Sequence, residues 1–562
     1  MLSAFAVYNS NAELKNSFKK KKLQQKSVAI KKKKVDPKRG AHYVDGVKNN
    51  ASPKNDECLK KTALKPKLNA LKKHEKIKEM IACSPPLTLQ ESIRKKLRKN
   101  KVKTKRKSMK IAEIDSEVFN KPLDLLNYLL APIDISDFFN TYWETKPLHI
   151  VRNKEDYFKN ILSSNQLDKM LRENLLYYTK NVDVVTYENG ERQTHNPEGR
   201  AIPANVWDYY MNGCSVRIMN PHTYNQKVRD LLSTLQEYFG TMVGVNVYLT
   251  PAGSQGFAPH YDDIEAFVIQ LEGRKHWKIY APRNNNEELP RYSSPNIPRK
   301  ELQAPIKELT LHAGDLLYFP RGFIHEASTD SDAHSLHITV SVYQNTSYVD
   351  LLEKLLPNAI KKASENDISF RKGLPLNYLK HIGMINSNKK SPERTEILNN
   401  VKELIYKLVD YASVDMAADQ MGRKFMYEAL PPNLSVSEKE RSSKEDGDRM
   451  NDGIVKNIAS FSPDTMVRFT RYYTQRLVLE ESIVRIYYCT ENANVYHGEE
   501  EQFLDLDNTS IDMITTLQNM YPHYITIEDL PGHDQIQKIQ VISDLWERGL
   551  IVTKKPLEIE DE

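Results

Sequence analysis

The sequence offers no segment that could span a membrane, because no stretch of about 18 consecutive apolar residues occurs among its 562 residues. Its first residues, MLSAFAVYNSNAELKNSF, are too polar for a secretory signal peptide and lead into lysine runs instead of a cleavage site. The same stretch prefers lysine to arginine, which disfavours a mitochondrial presequence. We therefore expect a protein that neither enters a membrane nor follows the secretory route.

Cysteine is scarce: the four residues Cys58, Cys83, Cys214 and Cys489 are scattered along the chain and form no CxxC pair. This spacing disfavours a disulfide framework and a zinc-finger site, and it favours a reducing compartment. Neither kind of small cross-linked module is therefore expected.

Residues 1–115 have few aromatic side chains and a large excess of lysine, including the runs Lys19–Lys22, Lys31–Lys34 and Lys95–Lys107. The overall net charge of +7 hides this asymmetry. Residues 1–110 hold about 33 Lys and Arg against about 8 Asp and Glu, roughly +25, which leaves about −18 for the remainder. A segment with so little to bury is predicted to be disordered. Such runs serve as nuclear or nucleolar import signals and as nonspecific nucleic-acid contacts, although a solubilising tail would look the same.

The rest of the chain divides by its pattern into three regions. Residues 116–345 begin with helical spacing and continue as short runs of β-branched and aromatic residues between Gly, Pro and Asn, which predicts a barrel or sandwich. Residues 346–465 follow a helical period and contain a charged linker, poor in apolar residues, at 431–453. Residues 466–562 order a strand, two helices, a Gly turn and a strand, which is typical of a winged-helix domain.

The predicted winged helix is not expected to bind DNA. From Glu500 onward, about 14 acidic residues outnumber about 4 Lys and Arg, which opposes contact with phosphates. We expect this domain to pack on the rest of the chain or to bind a protein partner.

A candidate metal site begins in the stretch GFAPHYDDIEAFVIQLEGRKHWKIY, from Gly256 to Tyr280. The period of two in an extended strand places His260 and Asp262 on one face and turns Asp263 away. A second histidine, His325, follows a Pro-Arg-Gly bend on a later strand. Two imidazoles and one carboxylate leave three metal positions open, as in non-haem Fe(II) oxygenases, whereas a structural zinc site would need a fourth ligand.

A candidate cosubstrate site lies next to it. Lys275 follows the next expected turn and alternates with Trp277 and Ile279, so that its ammonium points into the core. A buried unpaired lysine is costly, whereas one paired with a bound dianion is not. Fe(II) oxygenases commonly take their electrons from 2-oxoglutarate, whose distal carboxylate needs a charged donor. Tyr248 can add a second hydrogen bond, and Asn246 shares its strand face.

Each of these residues also has an ordinary explanation. His260 and Asp262 alone would more often be a surface pair, and Lys275 alone could extend past Trp277 to water. Structural roles are expected for His312, His334 and His337. Only the combination of these residues, in order and on strands, favours the metal site.

The sequence resembles the JmjC ribosomal oxygenases, and within them the nucleolar bifunctional branch, in the stretches NVYLTPAGSQGFAPHYDDIEAFVIQLEGRKHWKIY and GDLLYFPRGFIHEA with HSLHITVSVYQ. The resemblance covers residues 115–562. It implies a multi-domain α+β fold: a double-stranded β-helix (the JmjC barrel), a helical dimerisation domain and a C-terminal winged helix. It also implies a set of site residues: His260, Asp262 and His325 as ligands of one Fe(II) per subunit, Lys275 as the 2-oxoglutarate anchor, and Tyr248 and Asn246 in its pocket.

The same resemblance implies a protein oxygenase that uses O₂ and 2-oxoglutarate as cosubstrates. Its implied substrates are a methyl-lysine of a histone tail and a histidine of a large-subunit ribosomal protein, with roles in chromatin and transcription regulation and in ribosome biogenesis. A homodimer or higher homo-oligomer in the nucleus, and there in the nucleolus, is implied as well. The acidic body would attract such basic polypeptides. Two alternatives stay open: an inactive barrel scaffold that binds basic tails, and a cupin-like metalloenzyme acting on small molecules.

Overall fold

The computed structural model describes residues 121–444, 450–455 and 460–557. The predicted basic tail at residues 1–115 lies outside the described residues, and so does part of the predicted linker. Among the helices of the described ranges, none is both long and apolar enough to cross a bilayer.

The centre of the molecule is a barrel of antiparallel strands. They are β1 Leu148–Ile150, β2 Val182–Glu188, β3 Glu191–Thr194, β4 Ser215–Met219, β5 Val243–Thr250, β6 Ile264–Tyr280, β7 Lys307–His312, β8 Leu316–Phe319, β9 Ile324–Ser328 and β10 Ser335–Tyr343. Their order is β1-β8-β6-β10-β5-β4-β2-β3, while β7 and β9 pair with the second half of β6. Because β6 belongs to both walls, the strands form the double-stranded β-helix that the family resemblance implies, which is a form of the barrel that the strand pattern predicts.

The long strand β6 differs from the expectation of a turn before Lys275, because it is continuous over 17 residues. Its pairing with β10 shifts register between Leu336 and His337, so a bulge takes the place of the turn. The extra residue of the bulge is Leu271. Gly273, two residues further on, has a φ of 62°, and a Cβ added there would meet the carbonyl oxygen of His334 at 1.9 Å. Beyond the bulge, Lys275 lies buried in the second half of the same strand.

Helices in the described part of the first region pack around the barrel. They are α1 Pro122–Leu130, α2 Ile135–Thr141, α3 Ser164–Glu173, α4 Pro203–Met211 and α5 Gln226–Phe239. Helix α5 interrupts the run of strands; the Asn225 side chain caps its start, and Gly240 ends it in a left-handed conformation. Phe138 of α2 packs on Phe267 and Tyr318, which joins the helices to the barrel core.

A helical region follows the barrel. In the described residues it consists of α6 Tyr348–Asn366, α7 Pro392–Leu408 and α8 Val414–Glu428. Apolar side chains at spacings of three and four stay exposed on two of these helices: Val349, Leu352, Leu356 and Ile360 on α6, and Leu398, Val401 and Ile405 on α7. Each helix therefore presents an apolar stripe to solvent.

The C-terminal region has its own core and the predicted winged-helix order. Its elements are the short α9 Val436–Lys439, β11 Met450–Asn451, β12 Ile454–Val455, β13 Met466–Phe469, β14 Gln475–Glu480, β15 Ile483–Tyr488, β16 Gln502–Leu506, α10 Asn508–Met520, β17 Ile525–Thr526, α11 Gln535–Glu547 and β18 Ile551–Thr553. Strands β17, β13 and β18 form one sheet, and β14, β15 and β16 form another. Met513 and Leu517 of α10 and Ile542 of α11 pack in the core with Val467 and Ile551 of the first sheet.

The predicted linker at 431–453 is partly helical. Ser435 caps α9 through a reciprocal pair of hydrogen bonds with Glu438, and Arg471 of the segment after β13 binds the Glu438 carboxylate. Ionic contacts therefore hold this segment in place of apolar packing. Because the sequence there has few apolar residues, it suggests a loop although part of the segment is helical.

Candidate active site

The side chains predicted as metal ligands lie together in the barrel. One ligand atom from each of His260, Asp262 and His325 lies within 4.8 Å of the other two, and within the described ranges no other such group occurs. Asp262 Oδ2 is 3.8 Å from His260 Nε2 and 3.8 Å from His325 Nε2. Two nitrogen donors and one oxygen donor fit an Fe(II) ion with open positions for other ligands.

Backbone carbonyls set the orientation of both imidazoles. His260 Nδ1 lies 2.8 Å from the oxygen of Ala258, and His325 Nδ1 lies 3.2 Å from the oxygen of Phe323. Because a carbonyl only accepts, each Nδ1 carries the hydrogen and each Nε2 presents its lone pair towards Asp262. Burial and the neighbouring His260 lower the pKa of His325 to about 4, so its ring stays neutral at pH 7, the form that binds metal.

The segment that carries two of these ligands is less regular than the sequence predicts. His260 forms an isolated bridge with His325, in which His325 N donates to His260 O at 2.8 Å, and β6 begins only after Asp262. Pro259 has no N–H to donate to a ladder, which limits regular strand pairing here. The three side chains lie together because β9 holds this segment, and the regular strand that the sequence predicts for His260 and Asp262 begins only at Ile264.

Lys275 lies in the barrel with only 4 % of its surface exposed. Its Nζ donates a hydrogen bond of 2.9 Å to Thr250 Oγ1, and within the described part of the chain no carboxylate forms an ion pair with it. Burial lowers the pKa of Lys275 to about 7. A buried ammonium held in this way fits the carboxylate of a bound ligand.

The wall of this pocket contains polar atoms that the fold itself leaves without partners. Asn246 Oδ1, Trp277 Nε1 and His337 Nδ1 are buried and have no hydrogen-bond partner among the residues that the structure describes. The ring of His337 stacks on Tyr248 with 5.0 Å between the ring centroids and lies 5.5 Å from the ring of Trp277. Several such atoms in one barrel fit a polar ligand.

His337, expected to be structural, therefore lines the pocket. Burial and the charge of Lys275 hold the pKa of His337 well below its ordinary value, so the ring is neutral. Its place opposite Tyr248 follows from the register of β10 against β5. The polar alternation along β10 is a signal for a lined pocket, but the register that selects His337 is a tertiary property.

Tyr248 stacks on His337 and lies beside a buried ion pair. Arg217 Nε donates a hydrogen bond of 3.1 Å to Asp183 Oδ2, and both residues are buried. Burial raises the pKa of Tyr248, while the charge of Arg217 opposes that rise. The phenol is therefore protonated at pH 7 and can donate a hydrogen bond.

Comparison with known proteins gives the class first. A profile of the JmjC domain matches residues 217–351, which include the three candidate metal ligands and Lys275. A profile described as "Ribosomal oxygenase 1, C-terminal winged helix domain" matches residues 430–557, which include α9 as well as the region after 466. The barrel and the second domain together therefore define a JmjC oxygenase.

Relatives give the family. Ribosomal oxygenase 1 of Gallus gallus is 46% identical over 435 residues, which cover 77% of this chain and 72% of that protein. The "Bifunctional lysine-specific demethylase and histidyl-hydroxylase NO66" of Dictyostelium discoideum is 44% identical over 430 residues, which cover 76% of this chain and 82% of that protein. The chain belongs to this family of ribosomal oxygenases.

A solved structure was also matched, the crystal structure of Escherichia coli ribosomal oxygenase YcfD. It is 14% identical, and the alignment covers 75% of this chain and 98% of that chain with a TM-score of 0.40. The likeness is too distant to carry an argument about the site.

Proposed function

We propose that this chain is an Fe(II)- and 2-oxoglutarate-dependent oxygenase that acts on side chains of basic proteins. The observation that carries the proposal is the buried Lys275 ammonium in the same barrel as the three candidate metal ligands. A scaffold for basic tails would have no use for a buried cation without a carboxylate partner in the described chain, because such a group destabilises the fold. A bound dicarboxylate removes that destabilisation.

The residues of the site have distinct roles in this proposal. The two imidazoles and the Asp262 carboxylate would hold the iron, with the histidine Nε2 lone pairs already directed towards Asp262. Lys275 would bind the distal carboxylate of 2-oxoglutarate, Tyr248 would donate a second hydrogen bond, and Asn246 would line the pocket. When bound, iron, 2-oxoglutarate and O₂ together supply the oxidant that inserts an oxygen atom into a substrate C–H bond.

Two classes of substrate fit this chemistry: an N-methyl-lysine of a histone tail and a histidine of a large-subunit ribosomal protein. The name printed for the relative in Dictyostelium discoideum combines lysine demethylation with histidine hydroxylation. A hydroxylated N-methyl group is lost as formaldehyde, whereas an alcohol on a histidine carbon is stable, so one site can serve both reactions. Both substrates are basic, and the chain outside residues 1–110 carries about −18.

Mass spectrometry of two peptides tests this proposal. A trimethyl-lysine histone peptide and a histidine peptide from a large-subunit ribosomal protein are incubated with the full chain, Fe(II), 2-oxoglutarate and O₂. The histone peptide should lose a methyl group and the histidine peptide should gain one oxygen atom, and His260→Ala should do neither. No product from either peptide, in a protein that also binds no metal, would leave the scaffold as the better account.

We also propose that the chain forms a homodimer or higher homo-oligomer through the apolar stripes of α6 and α7. The described residues leave these stripes exposed, and a second copy of the chain would remove them from water. Light scattering coupled to size exclusion should show more than one chain per particle. Leu356→Glu should shift that mass to a monomer, and an unchanged mass would contradict the proposed interface.

A nuclear and nucleolar location is proposed from composition. The Lys-rich runs within residues 1–110 support import and nonspecific contact with nucleic acid. A fluorescent fusion of the full chain should accumulate in nucleoli, and a fusion that lacks residues 1–110 should not. Equal distribution of the two fusions would contradict this role for the segment.

A further inference from the structure

A loop segment, residues 291–297, runs antiparallel beside the residues that carry the first two metal ligands; we call it the strap. Ser294 N donates to Tyr261 O at 2.9 Å, and Ile297 N donates to Pro259 O at 2.8 Å. Tyr261 N in turn donates to the Ser294 hydroxyl at 2.9 Å. The strap therefore provides hydrogen bonds to the backbone of Pro259 and Tyr261, in the place of a neighbouring strand.

The ligand-bearing segment is thus held on both sides. On one side, His260 and His325 exchange backbone hydrogen bonds of 3.3 and 2.8 Å, so one metal ligand aligns the other. On the other side lies the strap. The position of Asp262, between the bridge and the start of β6, depends on both flanks.

Ser293 brings the strap to the carboxylate itself. Its hydroxyl lies 2.7 Å from Asp263 Oδ1 and 3.4 Å from Asp262 Oδ1, and Asp263 N donates to the same hydroxyl at 3.1 Å. Asp262 Oδ2, the other oxygen, is the one near the two histidines. The Ser293 hydroxyl therefore lies beside the Asp262 oxygen that is turned away from the two histidines.

The two ends of the strap are anchored elsewhere in the molecule. Arg291 makes a bidentate ion pair with Glu353 of α6, with contacts of 2.7 and 2.9 Å, and a third contact of 3.0 Å with Asp350. At the other end, Ile297 is buried in a small apolar cluster with Ile324 of β9. The strap thus connects the helical region to the segment that carries Asp262.

We propose that Ser293 is a positioning residue for the metal centre: its hydroxyl donates to the Asp263 carboxylate and accepts from Asp263 N, which fixes the backbone beside Asp262, and the Arg291 ion pairs hold the strap in place for it. The inference rests on the proposed function, because it assigns Asp262 to the iron. Partners of metal-ligating groups commonly change metal affinity by about 10- to 100-fold when they are removed. The effect of Ser293 reaches the metal site through Asp263 and the adjoining Asp262.

Metal titration of the full chain tests this assignment. Co(II), which is stable to oxidation, is added to the metal-free protein in a calorimeter, and the visible spectrum of the bound ion is recorded. Ser293→Ala should weaken Co(II) binding about tenfold and alter the spectrum, whereas Ser293→Thr, which keeps the hydroxyl, should restore both. Arg291→Met should weaken binding by less than Ser293→Ala does. Arg485→Met is its matched control, since Arg485 also binds two carboxylates, those of Asp505 and Glu480.

The outcomes separate this inference from the proposed function. Equal Co(II) affinity and equal spectra in wild type and Ser293→Ala would overturn the role of Ser293 and leave the metal site intact. A loss in Ser293→Ala that Ser293→Thr does not restore would also overturn it, because the hydroxyl would then not be the cause. A wild-type chain that binds no Co(II) would overturn the proposed function and this inference with it. Thermal melting of each metal-free variant checks that the fold is retained.

Discussion

Among single residues, Lys275 defines the chemistry of the pocket. Its ammonium is bound by the Thr250 hydroxyl, and burial lowers its pKa to about 7. A carboxylate partner within the chain would favour the charged form and oppose that shift. Lys275 can be recognised from the sequence because it alternates with the apolar Trp277 and Ile279, so its charge stands where its neighbours require burial.

Lys275→Met should separate cosubstrate binding from stability. The variant should lose about 2 kcal/mol of 2-oxoglutarate binding free energy, roughly thirtyfold in affinity, because a charge-assisted hydrogen bond is removed. Without 2-oxoglutarate it should be more stable than wild type, since a buried charge is gone. Calorimetric titration of the Co(II)-loaded proteins and urea unfolding of the metal-free proteins measure the two effects. Unchanged 2-oxoglutarate affinity would exclude Lys275 as the anchor.

The pKa of Lys275 also gives the affinity for 2-oxoglutarate a definite pH dependence. Above about pH 7 the free site loses the proton that the bound dicarboxylate requires, so affinity should fall by up to about tenfold per pH unit. The free energy of unfolding of the metal-free protein changes with pH in the opposite direction. Between about pH 7 and 10.5 Lys275 is protonated in the unfolded chain but not in the folded one, so its destabilising effect decreases as pH rises. Titrations in two buffers of different ionisation enthalpy should reveal proton uptake above pH 7, which Lys275→Met should lack.

At the scale of elements, the bulge in β6 decides which side chains enter the barrel. The register against β10 shifts between Leu336 and His337, and Gly273 adopts a φ of 62°. In an uninterrupted strand the alternation would continue unchanged, and a bulge reverses it beyond that point. The sequence shows Gly273 but not its geometry, so it suggests a turn where the strand continues.

Gly273→Ala should destabilise the protein and disturb the cosubstrate pocket. The new Cβ would meet His334 O at 1.9 Å, and the left-handed φ disfavours a side chain, so we expect a loss of about 3 kcal/mol. Gly190→Ala is a matched control, since Gly190 has a φ of 85° with nothing within 4 Å of its added Cβ. That control should lose only about 1 kcal/mol. Urea unfolding of both variants measures the difference, and equal losses would show that the contact with His334 is unimportant.

At this scale, the site residues that could be predicted from the sequence are those marked by a hydrophobic period or by their residue type. The period of two indicates Lys275, whose charge interrupts an apolar strand face, and the spacing of His260 and Asp262 indicates a pair of ligands. The position of His337 in the pocket depends on the register of β10, and the strap depends on a loop without any period. Both are tertiary properties, and a single sequence does not encode them in a local pattern.

At the scale of the whole molecule, Arg471 joins the barrel's helix α5 to the winged-helix region. Its Nε lies 3.2 Å from Glu237 Oε1 of α5, and its guanidinium binds both oxygens of Glu438 on α9. Burial raises the pKa of Glu237 to about 7, with the charge of Arg471 opposing the rise. Burial would also raise the pKa of Glu438, but hydrogen bonds from Arg471 and its charge lower it to about 2.

Arg471→Met should therefore weaken the junction in a pH-dependent way. Removing the guanidinium leaves Glu237 without its cation and Glu438 with Arg468, whose Nη2 lies 3.5 Å from Glu438 Oε1, at a cost of about 3 kcal/mol near neutral pH. Without Arg471 the folded-state pKa of Glu237 should lie further above its unfolded value, so the variant should lose stability as pH rises from about 5 to 8. The gap in urea midpoint between wild type and variant should widen over that range.

The matched control for this junction is Arg485→Met, because the Arg485 side chain is 27% exposed while that of Arg471 is 8% exposed. Arg485 binds two carboxylates within the second sheet of the winged-helix region, so its loss removes only partly solvated ion pairs, worth about 0.5 kcal/mol each. Its effect on the urea midpoint should be small and nearly constant with pH. If both variants shifted the midpoint equally, or if the gap for Arg471→Met did not change with pH, burial at the junction would not be what makes Arg471 matter.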